Sequence, residues 1–187
     1  MNDSDPDKSQ APREFALQFI TVVLVLCVVG FLGYAVFVRN GPNPPNNPNI
    51  PAPTFTYMGI GFAALMLVLH FVVPPIIVAM QRKQIARGTW NPSSAKNPIS
   101  AEELSRMSDA DKLFLLYQRS QFSVVAAMLA AAAFVNGAAY ALEGDLVSLV
   151  VALLLVAVML LRFPTRSRVE RFLSEQGELL RQERQSV

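Results

Sequence analysis

The sequence predicts an all-α integral membrane protein: four transmembrane helices in a bundle, with cytoplasmic juxtamembrane helices. Three observations predict it. Hydrophobic residues are 52% of the 187, and they are gathered into four blocks instead of being spread along the chain. These blocks have the length that a hydrocarbon core of about 30 Å asks of a helix rising about 1.5 Å per residue. Lys and Arg are also placed asymmetrically. Of the 16, 15 lie in residues 1–14, in the loop 81–120 or from Arg162 onward, and only Arg39 lies on the other side of a four-span chain. The positive-inside rule then puts both termini in the cytoplasm.

Residues Met1–Glu14, with Asp3, Asp5, Pro6 and Asp7, are too polar to bury anything and read as a disordered cytoplasmic tail. The first span, about 15–38, is an uncharged run from Phe15 to Val38. Its core is too long for a signal peptide and it exits into VFVRN, without a small-x-small cleavage pattern, so it is read as retained. Arg39–Pro53 holds six prolines and five asparagines, which excludes a helix or central strand and predicts a stiff extracytoplasmic spacer. The second span, about 55–80, offers small surface at Gly59, Gly61 and Ala63, and Pro74-Pro75 should kink it.

The loop 81–120 opens with Arg82, Lys83 and Arg87 and passes through GTWNPSSAKNP, which places Trp90 in a loop near the interface. Ser100 with Glu103 fits a capping box, and Ser108 with Asp111 offers a second helix start. Leu113, Leu116, Tyr117 and Ser120 then lead without a breaker into the third span, about 121–142, which predicts one long helix from about Ala110 to about Leu142. In that span Ala126, Ala130, Ala133, Gly137 and Ala141 recur at spacings of three and four. Lipid provides no hydrophobic force between helices, so close backbone approach at small residues holds them, and this face is read as buried.

A turn at Glu143-Gly144-Asp145 follows: Gly144 permits the reversal, and Asp145 caps the next helix. The fourth span, about 146–163, is Leu, Val and Met with Ser148 as the one polar side chain from Leu146 to Leu161. Those residues make about 24 Å of helix, and Arg162 completes the crossing by snorkelling. In the tail 164–187, Val169, Phe172, Leu173, Leu179 and Leu180 share roughly one helical face, among five arginines and four glutamates. Three roles stay open for this amphipathic helix: a mostly solvated helix, docking onto its own loop or a second copy, or lying on lipid.

The stretch YQRSQF…AMLAAAAFVNGAAYALEGDLVSLVVALLLVAVMLLRFPTRSRVERFL, roughly residues 115–173, resembles the C-terminal hairpin of small bacterial membrane proteins of unknown function, in which an FPTxxRV-like segment follows the last span. The resemblance implies a bacterial inner membrane. The small-residue hairpin is also similar to rotor-ring c subunits of ATP synthases. Their activity requires an intramembrane carboxylate, and Gln121–Leu142 and Leu146–Leu161 contain none.

Function is less legible. A net charge of +2, with basic residues following the span ends, excludes a nucleic-acid stripe. No phosphate-binding glycine loop, nucleophile elbow, HExxH or CxxC occurs, so no enzyme is predicted and no cofactor or metal is assigned. The single Cys27 cannot form an intrachain disulfide. His70 is the one ionisable side chain inside an apolar run, and such a residue is a functional hypothesis by default. It could carry protons or ligate a metal, or be a neutral imidazole bonded across helices to Asn136 or Tyr140. Asn136 in turn reads as interhelical glue. The expected partners are the lipid bilayer and either a second copy or another membrane protein. The overall expectation is a structural or interaction component of the membrane, with a small transporter or channel subunit as the alternative.

Overall fold

The computed structural model describes residues 6–42, 53–91 and 101–185, and every regular element among them is helical. In order these are α1 (Pro6–Arg39), α2 (Thr54–Ala86), α3 (Ala101–Arg106), α4 (Asp109–Leu116), a π-helical stretch (Tyr117–Val124), α5 (Val125–Glu143), α6 (Leu146–Leu161) and α7 (Arg166–Gln185). Three helical runs are long and apolar enough to cross a membrane, and up to four if α6 is counted together with α7. The chain divides into two compact units, residues 1–72 with 124–164 and residues 73–123 with 165–187.

In the first unit α5 lies between α1 and α6. Its small side chains allow this. Ala130, Ala133 and Gly137 of the predicted face are buried, while Ala126 and Ala141 at its ends are half-buried. A Cβ at Gly137 would meet Leu32 Cδ2 at 2.7 Å and Phe31 Cε1 at 2.9 Å, so this glycine is where α1 comes close. A neighbouring face of α5 is buried too, through Val125, Leu129, Ala132 and Ala139, while Ala131, Val135 and Leu142 on the remaining side stay exposed. Leu155, Val156 and Met159 of α6 join Val28 and Leu32 of α1 in the same core. Burial on two faces is what an alanine-rich helix permits, because its neighbours can approach closely on both. The outward faces remain apolar: Phe19, Val68 and Leu154 are each about 60% exposed.

The hairpin is built from local signals. Gly144 sits at φ +74°, a left-handed conformation that glycine adopts without a steric penalty, and its N–H closes α5 onto Tyr140 O at 2.8 Å. Asp145 then caps α6 by accepting from the Val147 N–H at 3.0 Å.

The second unit has its own core of Val78, Ile85, Trp90, Leu113, Leu116 and Leu180, with Phe172 and Leu173 packed against it. The amphipathic tail therefore docks onto α4 and the far part of α2, which was one of its three predicted roles. Its buried face holds Val169 and Leu180, whereas Leu179 is 38% exposed and lies off that face, one residue and 100° of rotation from Leu180. Around the core, Arg82 donates to Glu183 Oε1 (2.8 Å) and to Gln176 Oε1 (2.7 Å), and Arg184 forms a bidentate pair with Asp109 (2.7 and 2.9 Å).

Several boundaries differ from the sequence expectation. Helix α2 does not stop at Met80 but runs to Ala86, because nothing breaks it before Gly88, whose φ of +69° ends it with Thr89 N–H bonded to Gln84 O. Trp90 is not an exposed loop residue: it is 5% exposed in the second core, with Nε1 donating to Gln81 Oε1. Helix α1 reaches back to Pro6, into the segment expected to be disordered. Pro6 is suited to a first helical position, and the added residues other than Pro12, which has no N–H, can extend the backbone ladder. Ser108 does cap α4, accepting from the Asp111 N–H at 3.1 Å. The helix from there to Glu143 is unbroken, but eight of its residues are π-helical. Ser100 and most of the proline-rich spacer lie outside the described residues.

Candidate functional site

The polar groups of the first unit form two separate places. The first is at the α5–α6 turn. Glu143 ends α5 outside the apolar run that closes at Leu142, and its carboxylate accepts from the Phe55 N–H at 2.6 Å and the Thr56 N–H at 2.8 Å. Those two amides belong to the first turn of α2, where N–H groups lack intrahelical partners and the helix dipole favours a negative charge. Glu143 thus caps a helix 87 residues distant in the chain. The Thr56 hydroxyl, buried at 2% exposure, accepts from Ser148 Oγ at 3.0 Å and donates to Glu143, so one polar relay joins α6, α2 and α5. Arg39, at the end of α1, lies over Gly144, and its Nη1 donates to Leu142 O at 3.5 Å.

Burial works against the charge on Glu143, but the bonds from the Thr56 hydroxyl and the two amides outweigh it and hold the carboxyl below the usual glutamate range. None of Glu143, Thr56 and Ser148 was singled out from the sequence as a site. The available signal was a lone serine in an otherwise apolar helix, a threonine near a helix start and an acid in a turn.

Two turns back along α5 from Glu143, Asn136 is fully buried, and its Nδ2 donates to Gly59 O at 3.0 Å on α2 and to Ala132 O at 2.9 Å on its own helix. Gly59 is small of necessity, since a Cβ there would stand 2.9 Å from Asn136 Oδ1. Asn136 therefore bonds across helices as predicted, but to a backbone carbonyl. Its Oδ1 has no partner among the described residues.

The second place is His70. It is 1% exposed, its ring stands edge-on to Phe71 at 5.0 Å, and neither ring nitrogen has a partner among the described residues. The predicted bond to Asn136 or Tyr140 is not made, and helix geometry explains why. Asn136 is level with Gly59, and His70 is eleven residues further along α2, about 16 Å of rise. Tyr140 is buried one turn beyond Asn136 toward the α5–α6 turn, farther still. Near His70 the guanidinium of Arg162 lies 5.3 Å from the centroid of the Phe71 ring, so His70 belongs to the Arg162 end of the bundle. Among the described residues no three of His, Cys, Asp and Glu gather closely enough to hold a metal ion.

Compared with models of protein families, with curated proteins and with solved structures, the chain finds no match in any of the three.

Proposed function

We propose that this chain is a four-span membrane protein with both termini cytoplasmic, which serves as a structural or interaction component of the membrane. One observation carries the reading. His70 apart, the buried polar side chains shared between helices of the first unit bond to those helices: Asn136 Nδ2 to Gly59 and Ala132, Ser148 to Thr56, and Thr56 to Glu143. Alanine, leucine and valine fill the rest of that core, while exposed apolar side chains cover α1, α2 and α6. Such a bundle suits a scaffold whose polar groups orient helices, and whose outer faces meet lipid or other spans. The fourth span in this reading is Leu146–Phe163, with Arg162 reaching the headgroups, and the uneven distribution of Lys and Arg supports the orientation.

The alternative is a small transporter or channel subunit, favoured by His70, a buried ionisable side chain with both nitrogens unpartnered. Purified protein in proteoliposomes, tested for proton and cation flux, discriminates the two. The scaffold reading expects flux equal to that of empty vesicles, together with specific membrane proteins recovered by in-membrane cross-linking. A flux abolished by His70→Gln would overturn it.

A further inference from the structure

The chain passes between its two compact units at three places, Val72/Val73, Ser123/Val124 and Pro164/Thr165, and each coincides with a different weakening of helical backbone. In an α-helix the N–H groups of residues 73–76 would bond the carbonyls of residues 69–72. Pro74 and Pro75 have no N–H, so two of the four rungs that should span the first junction cannot form. The second junction is the end of the π-helical stretch Tyr117–Val124, where i→i+5 bonding replaces the regular ladder. There the hydroxyls of Ser120 and Ser123 add side-chain bonds to Leu116 O (2.6 Å) and Gln118 O (3.1 Å), which bends helices. The third junction is the non-helical segment between Leu161 and Arg166, interrupted by Pro164.

Three uninterrupted α-helices would have made a stiff connection. Instead every connection is weakened at the boundary, while each unit keeps a separate core. We infer that these junctions form a hinge, about which the second unit pivots as a body against the first without either core opening. Hinges of this kind consist of a few residues at element ends that absorb backbone rotation. This inference goes beyond the scaffold reading and does not depend on the direction in which the chain crosses the membrane.

The test is a set of spin-label distance measurements on the full chain in lipid nanodiscs, in a Cys27→Ser background. Val150→Cys with Glu178→Cys reads across the junctions. Val29→Cys with Val150→Cys, and Arg87→Cys with Glu178→Cys, read within each unit. The cross-unit distance distribution should be about twice as broad as either within-unit one, as expected when rigid bodies move relative to each other. Pro75 is exposed, so Pro75→Ala restores one rung without emptying a packed site, and it should narrow the cross-unit distribution alone. The buried Pro74 is changed only in a second variant, Pro74→Ala/Pro75→Ala, in which unchanged within-unit distances certify the fold and the narrowing should be greater. A wild-type cross-unit distribution as narrow as the within-unit ones would overturn the inference. So would a broad one that neither variant narrows.

Discussion

Removing the Glu143 carboxylate tests whether the α5–α6 turn holds the start of α2 in place. In Glu143→Ala the N–H groups of Phe55 and Thr56 lose acceptors at 2.6 and 2.8 Å, and the Thr56 hydroxyl loses its own. A hydrogen bond to a charged group contributes about 1.5–3 kcal/mol. Loss of a helix N-cap costs about 1 kcal/mol, because water partly replaces the lost acceptor. Glu143 is half-buried at the end of the bundle, so the smaller figure governs and we expect a loss of about 1–2 kcal/mol. At the scaling for a chain of this length that is a fall in Tm of about 3–6 °C. Glu143→Gln, which keeps one acceptor oxygen, should lose roughly half as much.

The assay is thermal unfolding in detergent followed by circular dichroism. Fluorescence of Trp90, the one tryptophan, would report the other unit. The effect also depends on pH. The folded carboxyl titrates below its unfolded value, so its contribution is complete above the unfolded pKa near 4.5 and fades as pH falls through the lower folded value. The difference between parent and Glu143→Gln should hold at neutral pH and close as pH falls through the lowered folded value. Exposed Glu178→Ala is the control: if Glu143→Ala costs no more than it does, the clasp makes no contribution and the reasoning fails.

Three further predictions rest on the packing of the first unit. Gly59→Ala should cost about 1–3 kcal/mol by crowding Asn136 Oδ1, and much of that cost should vanish in the Asn136→Ala background; strict additivity in a double-mutant cycle would contradict the contact. Gly137→Leu drives a side chain into Leu32 and Phe31 and should lower thermal stability severely, while the 52%-exposed Leu153→Ala should stay within about 0.5 kcal/mol of the parent. Comparable losses would mean that the buried face of α5 has been misassigned. Because both His70 nitrogens are unpartnered, His70→Leu removes a buried polar group and should be at least as stable as His70→Gln. A clear deficit of Leu against Gln would reveal a partner for the imidazole.

What the sequence made legible was whatever local chemistry decides. The bounds of α6 followed from its apolar run between Asp145 and Arg162, and the caps at Ser108 and Asp145 follow from side chains two or three residues from the amides they serve. The buried face of α5 was legible because only small residues permit close approach in lipid. The remainder depended on contacts remote in sequence. Glu143 finds its amides 87 and 88 residues away, and Trp90 is buried by Leu180, which no periodicity near residue 90 announces. The pairing of His70 with Asn136 failed for want of register: polar residues on neighbouring helices meet only at equal height, and Asn136 is level with Gly59, eleven residues before His70.

Accessibility labelling checks the proposed four-span, N-in/C-in arrangement. In a Cys27→Ala background, single cysteines at the exposed positions Asn40, Thr89 and Glu178 would be treated in sealed cells with a membrane-impermeant thiol reagent. Asn40→Cys should react in sealed cells, while Thr89→Cys and Glu178→Cys should react only after the membrane is opened. Reaction of Thr89→Cys in sealed cells, or of all three alike, would contradict that arrangement.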